Sequence, residues 1–294
     1  MRKRRRTWRS KSDIDFGQLQ KVQRLYAFRH YGCLLQRVKI EPTRIQVPIT
    51  TRRGRSVLKT AHENGTCTTG PMIQPQNGPA FLTVLTFACE ALIACARQLD
   101  IMDEECGDGD YGTVLARSAG AIKLAIKEGR LLATRPATTL VQISHIIERE
   151  TGGSEGGIYS LFFDAAAKSF LRFRNDEQMT ASMWLAALTS ANKMISEVSG
   201  ASIGDRTMLD ALIPAENRLT QALNSGSNSV DAFGEAVKAA ETFAMQTVHM
   251  SGTRSADSDR KTLKYPDPGA HAVGIWMRAA YEAVKLKFAY KLQV

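Results

Sequence analysis

Apolar residues recur at helical spacing, three and four positions apart, from residue 81 to the end of the chain. They fall into segments near 81–100, 113–129, 137–150, 156–173, 178–198, 207–224, 229–248 and 269–290. No run of alternating or β-branched residues typical of a strand separates these segments. The pattern therefore predicts an all-α domain, a bundle of about eight helices that each bury one apolar face.

The connections between the predicted helices are of two kinds. Four of them are polar and rich in glycine, and they follow the first, third, fifth and seventh helices. These connections are 103–112, 151–157, 199–206 and 250–269. Because alternate connections of an up-and-down bundle lie at the same end, we expect all four to gather there. That end is the predicted location of a functional site.

Start signals support several of the helix boundaries. Thr139 with Gln142, and Thr207 with Asp210, are spaced as capping boxes. Pro268 fits the first turn of the last helix, where its missing N–H costs nothing.

Charge divides the chain into two parts. Residues 1–60 hold 17 Lys and Arg against 3 Asp and Glu, whereas 61–294 hold 22 against 26. The net charge of +10 thus belongs to the head, and nucleic-acid binding by the folded body is not expected. We interpret 1–60 as a disordered basic extension, 61–80 as a linker with many Gly, Pro and Asn breakers, and 81–294 as the domain.

Compartment and membrane association are inferred from two further features. Five cysteines without a C-x-x-C pair favour a reducing compartment, and we expect a cytoplasmic protein. Nuclear or organellar targeting by the basic head stays open. The most apolar stretch, 81–96, is shorter than a membrane span and contains a glutamate, so we predict a core helix and no membrane partner.

Two familiar motifs occur in contexts that argue against their usual chemistry. Residues 107–112 fit G-x-G-x-x-G, but a predicted helix precedes them and two aspartates would repel a bare pyrophosphate. Residues 152–156 fit G-x-S-x-G, but the charged residues 148–151 precede them instead of a buried strand. Neither a dinucleotide site nor an acyl hydrolase is the favoured interpretation.

The first glycine-rich connection carries three aspartates, Asp103, Asp108 and Asp110. Their spacing does not place them on one face of a helix, but a glycine-rich turn lets all three carboxylates converge. Three hard oxygen ligands on a flexible loop suit Mg²⁺ or Ca²⁺, and the glycine positions do not fit an EF-hand. Spacing alone leaves a solvated acidic turn equally open.

Taken together, the body resembles the ATP-binding, L-type domain of the dihydroxyacetone kinase family, which includes triokinase/FMN cyclase. The resemblance covers about 81–290 and is carried by four ordered motifs. These are Asp103 through Gly112-Thr113, Gly152-Gly153-Ser154 with Tyr159, Gly204 through Asp210, and Pro266-Asp267-Pro268-Gly269-Ala270. It implies a closed bundle of eight antiparallel helices with the nucleotide at one end. It also implies that the three aspartates hold two Mg²⁺ ions, which bind ATP for phosphoryl transfer to a small ketose or aldose such as dihydroxyacetone or glyceraldehyde.

The resemblance also implies a set of nucleotide-binding residues and no protein nucleophile. Met208 would lie near the adenine and Arg254 near the phosphates; a core methionine and a surface arginine are the alternatives. Asp267 could equally be a simple helix cap. The nucleotide set comprises Tyr111, Gly112, Thr113, Val114, Gly153, Ser154, Glu155, Thr207, Met208, Arg254, Asp267, Pro268 and Gly269.

The chain departs from the family pattern in ways that bear on activity. Glu155 stands where a small hydroxyl residue is usual, and Val114 replaces a polar residue. The sugar-binding K-type domain of the family has no counterpart in residues 1–80. We therefore expect a K-type domain or chain in trans, with a homodimer left open. The alternative function is a catalytically degenerate binding or regulatory module of the same fold.

Overall fold

A computed structural model of the chain describes residues 70–151, 153–250 and 263–288, with only the backbone described at 153–155 and 288. The predicted basic extension and the first part of the predicted linker lie outside these residues, as does Arg254.

The described residues form nine α-helices and no named strand, which confirms the all-α prediction. The first predicted helix is two helices, which meet at Cys95. The other seven predicted helices are each present, with ends within a few residues of the expected ones. The helices are α1 Gly78–Ala94, α2 Ala96–Asp103, α3 Tyr111–Lys127, α4 Pro136–Glu150, α5 Gly153–Phe170, α6 Ala181–Ser199, α7 Leu209–Asn224, α8 Ser229–Gln246 and α9 Pro268–Phe288.

The helices are arranged as a ring. Apart from α2, which continues α1 and packs on α3 and α9, each helix contacts the next along the chain, and α9 contacts both α8 and α1. The last helix therefore closes the ring against the first. Since all the connections except 247–267 are short, consecutive helices of the ring run antiparallel, and the N-termini of α3, α5, α7 and α9 lie at one end.

The ring encloses a cavity of about 890 Å³ with an almost wholly apolar wall, to which Phe81, Leu85, Phe162, Trp184 and Trp276 contribute. The helical stretch Pro75–Ala94 is long and apolar enough to cross a membrane by length and composition, yet only 28% of that window is buried. Several of its apolar side chains line the cavity, which accounts for the low burial of a helix packed on three others. The apolar composition of this stretch is therefore weak evidence for a membrane span.

Residues 70–77, within the predicted linker, contact the helices. Met72 donates its N–H to the Glu177 carbonyl (2.8 Å) and accepts from the Met179 N–H (2.9 Å). The N–H of Gly70 donates to the Asn175 side chain (2.7 Å). This part of the linker segment is therefore hydrogen-bonded to the connection between α5 and α6, at one end of the bundle.

The start signals have mixed outcomes. The capping box at Thr139 is wrong, because α4 begins at Pro136 and the Thr139 hydroxyl, inside the helix, donates to the Leu132 carbonyl (2.5 Å). The box at Thr207 is present only in part: the Asp210 carboxylate accepts from the Thr207 N–H (2.7 Å), but the Thr207 hydroxyl accepts from the Leu209 N–H (3.2 Å), and Met208 is the residue that precedes the helix. Pro268 is the first residue of α9, as predicted.

The predicted connection 151–157 is also shorter than expected. Helix α5 begins at Gly153, so most of this glycine-rich segment forms its first turn. Gly156 explains the tight approach, since a Cβ there would lie 2.7 Å from the Thr151 carbonyl oxygen. The glycine content predicted a loop, but these residues are helical, and Gly156 allows α5 to pack closely on Thr151.

Candidate functional site

The N-terminal ends of four helices meet at one end of the ring. A Cβ built on Gly269 of α9 would lie 3.2 Å from the Tyr111 hydroxyl of α3 and 3.5 Å from the Met208 nitrogen, just before α7. From α5, the buried Tyr159 hydroxyl lies near enough to Tyr111 and Asp267 for both to affect its pKa. The convergence predicted from the loop order is therefore present. Helix N-termini carry partial positive charge and unsatisfied N–H groups, which together favour bound anions.

The three predicted aspartates lie together beside these helix ends. One carboxylate oxygen from each of Asp103, Asp108 and Asp110 lies within 4.8 Å of the other two. Asp108 and Asp110 are exposed and Asp103 is half-buried. Three carboxylates this close repel one another, and a hard divalent cation between them would relieve that repulsion. Their number, chemistry and spacing fit Mg²⁺.

Asp103 shapes the turn that brings the carboxylates together. Its carbonyl accepts from Gly107 (2.7 Å), and its Oδ2 accepts from the N–H groups of Gly109 (3.0 Å) and Asp110 (3.3 Å). Gly109 has φ 76°, which glycine adopts without strain. Burial raises the pKa of the Asp103 carboxyl; the backbone hydrogen bonds oppose this, and the charge of Asp108 adds to it.

The buried carboxylate of Asp100 fixes the start of α3. It is 6% exposed and accepts from both the N–H and the hydroxyl of Thr113, each at 2.8 Å. The Thr113 N–H, expected near the phosphates, is thus already bonded to Asp100. Sequence reasoning missed this role, although Asp100 lies one helical turn before Asp103 on α2, a spacing that could have revealed it.

The connection between α6 and α7 is held by Asp210, which is fully buried. Its carboxylate accepts from the N–H groups of Gly204 (2.6 Å) and Thr207 (2.7 Å). Between them, Arg206 is 9% exposed and has φ 59°, a left-handed conformation that is rare outside glycine. The closed turn therefore imposes a strained backbone at Arg206.

The start of α9 is fixed by Asp267. Its carboxylate caps the Ala270 N–H (2.7 Å), and its own N–H donates to the Thr247 hydroxyl (2.8 Å). Asp267 is therefore the N-terminal cap of α9. Pro268 and Gly269 behind it are buried.

The remaining predicted residues are placed as follows. Gly112 is buried against the start of α2, and Met208 is 7% exposed. Val114 lies on the wall of the internal cavity. Gly153, Ser154 and Glu155 form the first turn of α5, where only the backbone is described, and Arg254 lies outside the described residues.

Tyr159, part of the second motif, is buried at the inner side of the site. Burial raises its pKa to about 12, against an opposing effect from the Tyr111 hydroxyl. Its phenol therefore stays protonated at neutral pH, as a neutral hydroxyl beneath the helix ends.

Comparison with known proteins agrees with this geometry. A model of the DAK2 domain matches residues 105–282 of the chain. The chain belongs to the DAK2 domain family. Asp108 and Asp110 lie within the matched range, and Asp103 lies two residues before it.

Relatives of this DAK2 chain carry kinase names. A protein from Solanum lycopersicum, assigned by its name to the 3,4-dihydroxy-2-butanone kinases, is 35% identical over 254 residues, or 84% of this chain and 41% of that protein. Triokinase/FMN cyclase of Bos taurus is 35% identical over 204 residues, or 69% of this chain and 34% of that protein. The human triokinase/FMN cyclase is 33% identical over the same length.

Solved structures share the fold. The dihydroxyacetone kinase of C. freundii matches with a TM-score of 0.56 at 23% identity, covering 83% of this chain and 39% of that one. The same enzyme in complex with AMP-PNP and Mg²⁺ matches with a TM-score of 0.55 at 24% identity. This DAK2 chain spans about two-fifths or less of these relatives and structures.

Proposed function

We propose that this chain binds Mg·ATP and supplies the nucleotide-binding half of a kinase that phosphorylates a small ketose or aldose, such as dihydroxyacetone or glyceraldehyde. The observation that carries the proposal is the aspartate triad, held within 4.8 Å at the end of the ring where four helix N-termini meet. Membership of the DAK2 family, and relatives named as kinases of such substrates, support it.

The geometry suits a polyphosphate bound through metal. Carboxylates cannot hold a triphosphate directly, because both are anionic, so Asp103, Asp108 and Asp110 would act by holding two Mg²⁺ ions. Such ions supply charge neutralisation at the phosphate oxygens during phosphoryl transfer. The helix N-termini add backbone N–H donors, which allow the phosphates to approach without a basic side chain.

We assign the nucleotide to the surface formed by the starts of these helices. Tyr111 and Gly112 at α3, Gly153 and Ser154 at α5, and Gly269 at α9 would line it. Gly112 and Gly269 admit the close approach of α2 and of Tyr111, so they would shape this surface by letting the helix starts pack together. On this assignment Thr207 and Met208 border the base and Arg254 stabilises the phosphates; no residue of the chain acts as a nucleophile.

The acceptor site would come from elsewhere. The described residues form one helical ring, and the relatives that carry the kinase names are much longer than this chain. We propose a K-type substrate-binding domain or chain in trans. A homodimer is compatible with the same requirement, and we assign the protein to the cytoplasm.

One observation favours a second candidate, a degenerate binding or regulatory module. Glu155 falls in the first turn of α5, so its sequence adds a negative charge at the helix end whose partial positive charge a phosphate would use. Replacing Glu155 with Ser tests this. Tighter Mg·ATP binding by the variant would support the degenerate module, whereas an unchanged dissociation constant would remove Glu155 as its cause.

Isothermal titration of ATP into the protein, with and without Mg²⁺, tests the leading proposal. We expect binding that requires Mg²⁺ and is abolished by Asp108→Ala, with an unchanged helical circular dichroism spectrum. Glu104→Gln is the matched control, because Glu104 lies in the same loop but outside the triad and faces Arg97 at 3.9 Å. Undiminished binding by Asp108→Ala would overturn the metal assignment.

A further inference from the structure

Glu105 connects the aspartate loop to the segment that leads into α9. Its Oε1 accepts from the Lys264 N–H (2.8 Å), and its Oε2 accepts from the Tyr265 N–H (2.9 Å). The two residues lie 159 and 160 positions away along the chain. One carboxylate thus binds two consecutive backbone amides of a separate connection, in the bidentate manner of strong charge-assisted hydrogen bonds.

Tyr265 is also held from the opposite side. Its carbonyl accepts from the Arg206 guanidinium (2.8 Å), which belongs to the connection before α7. Arg206 is buried and strained, so its position is set by the closed turn around Asp210. The backbone of Tyr265 is therefore held by hydrogen bonds to two connections that border the site, and we call this pair of contacts the clamp.

The bonding of Glu105 separates it from the metal-binding carboxylates. Both of its oxygens are used by amides, and it is absent from the group of three aspartates that lie within 4.8 Å of one another. Its neighbour Glu104 faces Arg97 on the surface instead. Of the two glutamates that follow Asp103 in the sequence, it is Glu105 that bonds to the segment leading into α9.

We propose that Glu105 is a positioning residue for the nucleotide: it fixes the start of α9, with Asp267 and Gly269, at a set distance from the aspartate loop. Only Pro266 separates the clamped Tyr265 from Asp267, so a displacement at Tyr265 is transmitted to the cap of α9. A nucleotide that contacts both the metal-binding loop and the start of α9 binds best when the distance between these two surfaces is fixed. The inference rests on the proposed function for its ligand.

The test compares Glu105→Ala and Glu105→Gln with Glu104→Gln in the full-length protein. Glutamine keeps the size of the side chain but leaves one amide facing an NH₂ group, so its effect should lie between those of glutamate and alanine. Because Glu105 is exposed, none of the variants should lose the fold. Hydrogen exchange by mass spectrometry reports on peptides covering 263–267, and titration calorimetry gives the Mg·ATP dissociation constant.

We expect Glu105→Ala to exchange faster in those peptides and to bind Mg·ATP about tenfold more weakly, which corresponds to about 1.4 kcal/mol, with little change in melting temperature. A purely structural role would lower the melting temperature without this selective loss. Glu104→Gln should match the wild type in both measurements.

Several outcomes would overturn the positioning role. Unchanged exchange in Glu105→Ala would show that the clamp does not hold the segment. Faster exchange with an unchanged dissociation constant would show that the clamp does not serve the nucleotide, and equal weakening by Glu104→Gln would indicate a general charge effect. If the wild type binds no Mg·ATP, the proposed function fails and the positioning role fails with it. If the wild type binds Mg·ATP and the Glu105 variants bind it equally well, the positioning role alone fails.

Discussion

Replacing Asp108 with Asn should stabilise the metal-free protein while removing its response to Mg²⁺. Asp108 has two anionic neighbours, Asp103 and Asp110, with one oxygen of each within 4.8 Å. At that separation two unit charges in water repel by about 0.9 kcal/mol, so the two pairs together cost about 2 kcal/mol before screening. Asparagine keeps the size of the side chain and removes the charge.

That free energy corresponds to a measurable change in melting temperature. For a domain of this size, about 1 kcal/mol shifts the melting temperature by about 2–4 °C, so we expect an increase of about 4–8 °C at low ionic strength. The increase should shrink strongly between about 10 mM and about 1 M salt, where the Debye length falls from about 30 Å to about 3 Å.

Thermal unfolding followed by circular dichroism, with and without Mg²⁺, measures both effects. Wild-type protein should be stabilised by Mg²⁺, since a ligand that binds only the folded state raises its stability, and Asp108→Asn should not be. Glu104→Gln removes a charge from the same loop and should keep the Mg²⁺ response. A lower melting temperature for metal-free Asp108→Asn, or a retained Mg²⁺ response, would refute the reasoning.

Three further predictions concern the helices around the site. Gly112→Ala should destabilise the protein by about 1–3 kcal/mol or more in denaturant unfolding, because the new Cβ would lie 2.7 Å from a backbone carbonyl carbon of α2; full stability would contradict the tight approach. Glu241→Gln should cost about 1.5–3 kcal/mol, since it weakens a bidentate, largely buried pair with Arg278 between α8 and α9 while Glu282 stays beside the guanidinium at 3.4 Å, and a loss below 1 kcal/mol would show the pair to be solvated. Burial raises the pKa of Cys95 to about 11, so its alkylation rate should rise about tenfold per pH unit up to that value. At neutral pH, peptide mass spectrometry should show Cys95 reacting much more slowly than the exposed Cys106, and equal rates would contradict the burial.

Helix positions followed closely from the sequence because they depend on local spacing. The apolar repeats located each segment, with the exception that Cys95 divides the first into two. Local signals failed where a neighbouring helix decided the geometry. Thr139 lies inside α4 because its hydroxyl bonds to the preceding connection, and the glycines after 152 are helical because α5 packs closely on Thr151.

The sequence by itself determined the all-α class, the order of the four glycine-rich connections and the acidic character of the first. These are properties of short stretches of chain, and loop order alone predicted that the connections share one end. Only the tertiary structure decided which polar groups meet there. The pairing of Glu105 with Lys264 and Tyr265 joins residues 159 and 160 positions apart in the chain. Closing the ring brings them within hydrogen-bonding distance, and no local pattern encodes that distance.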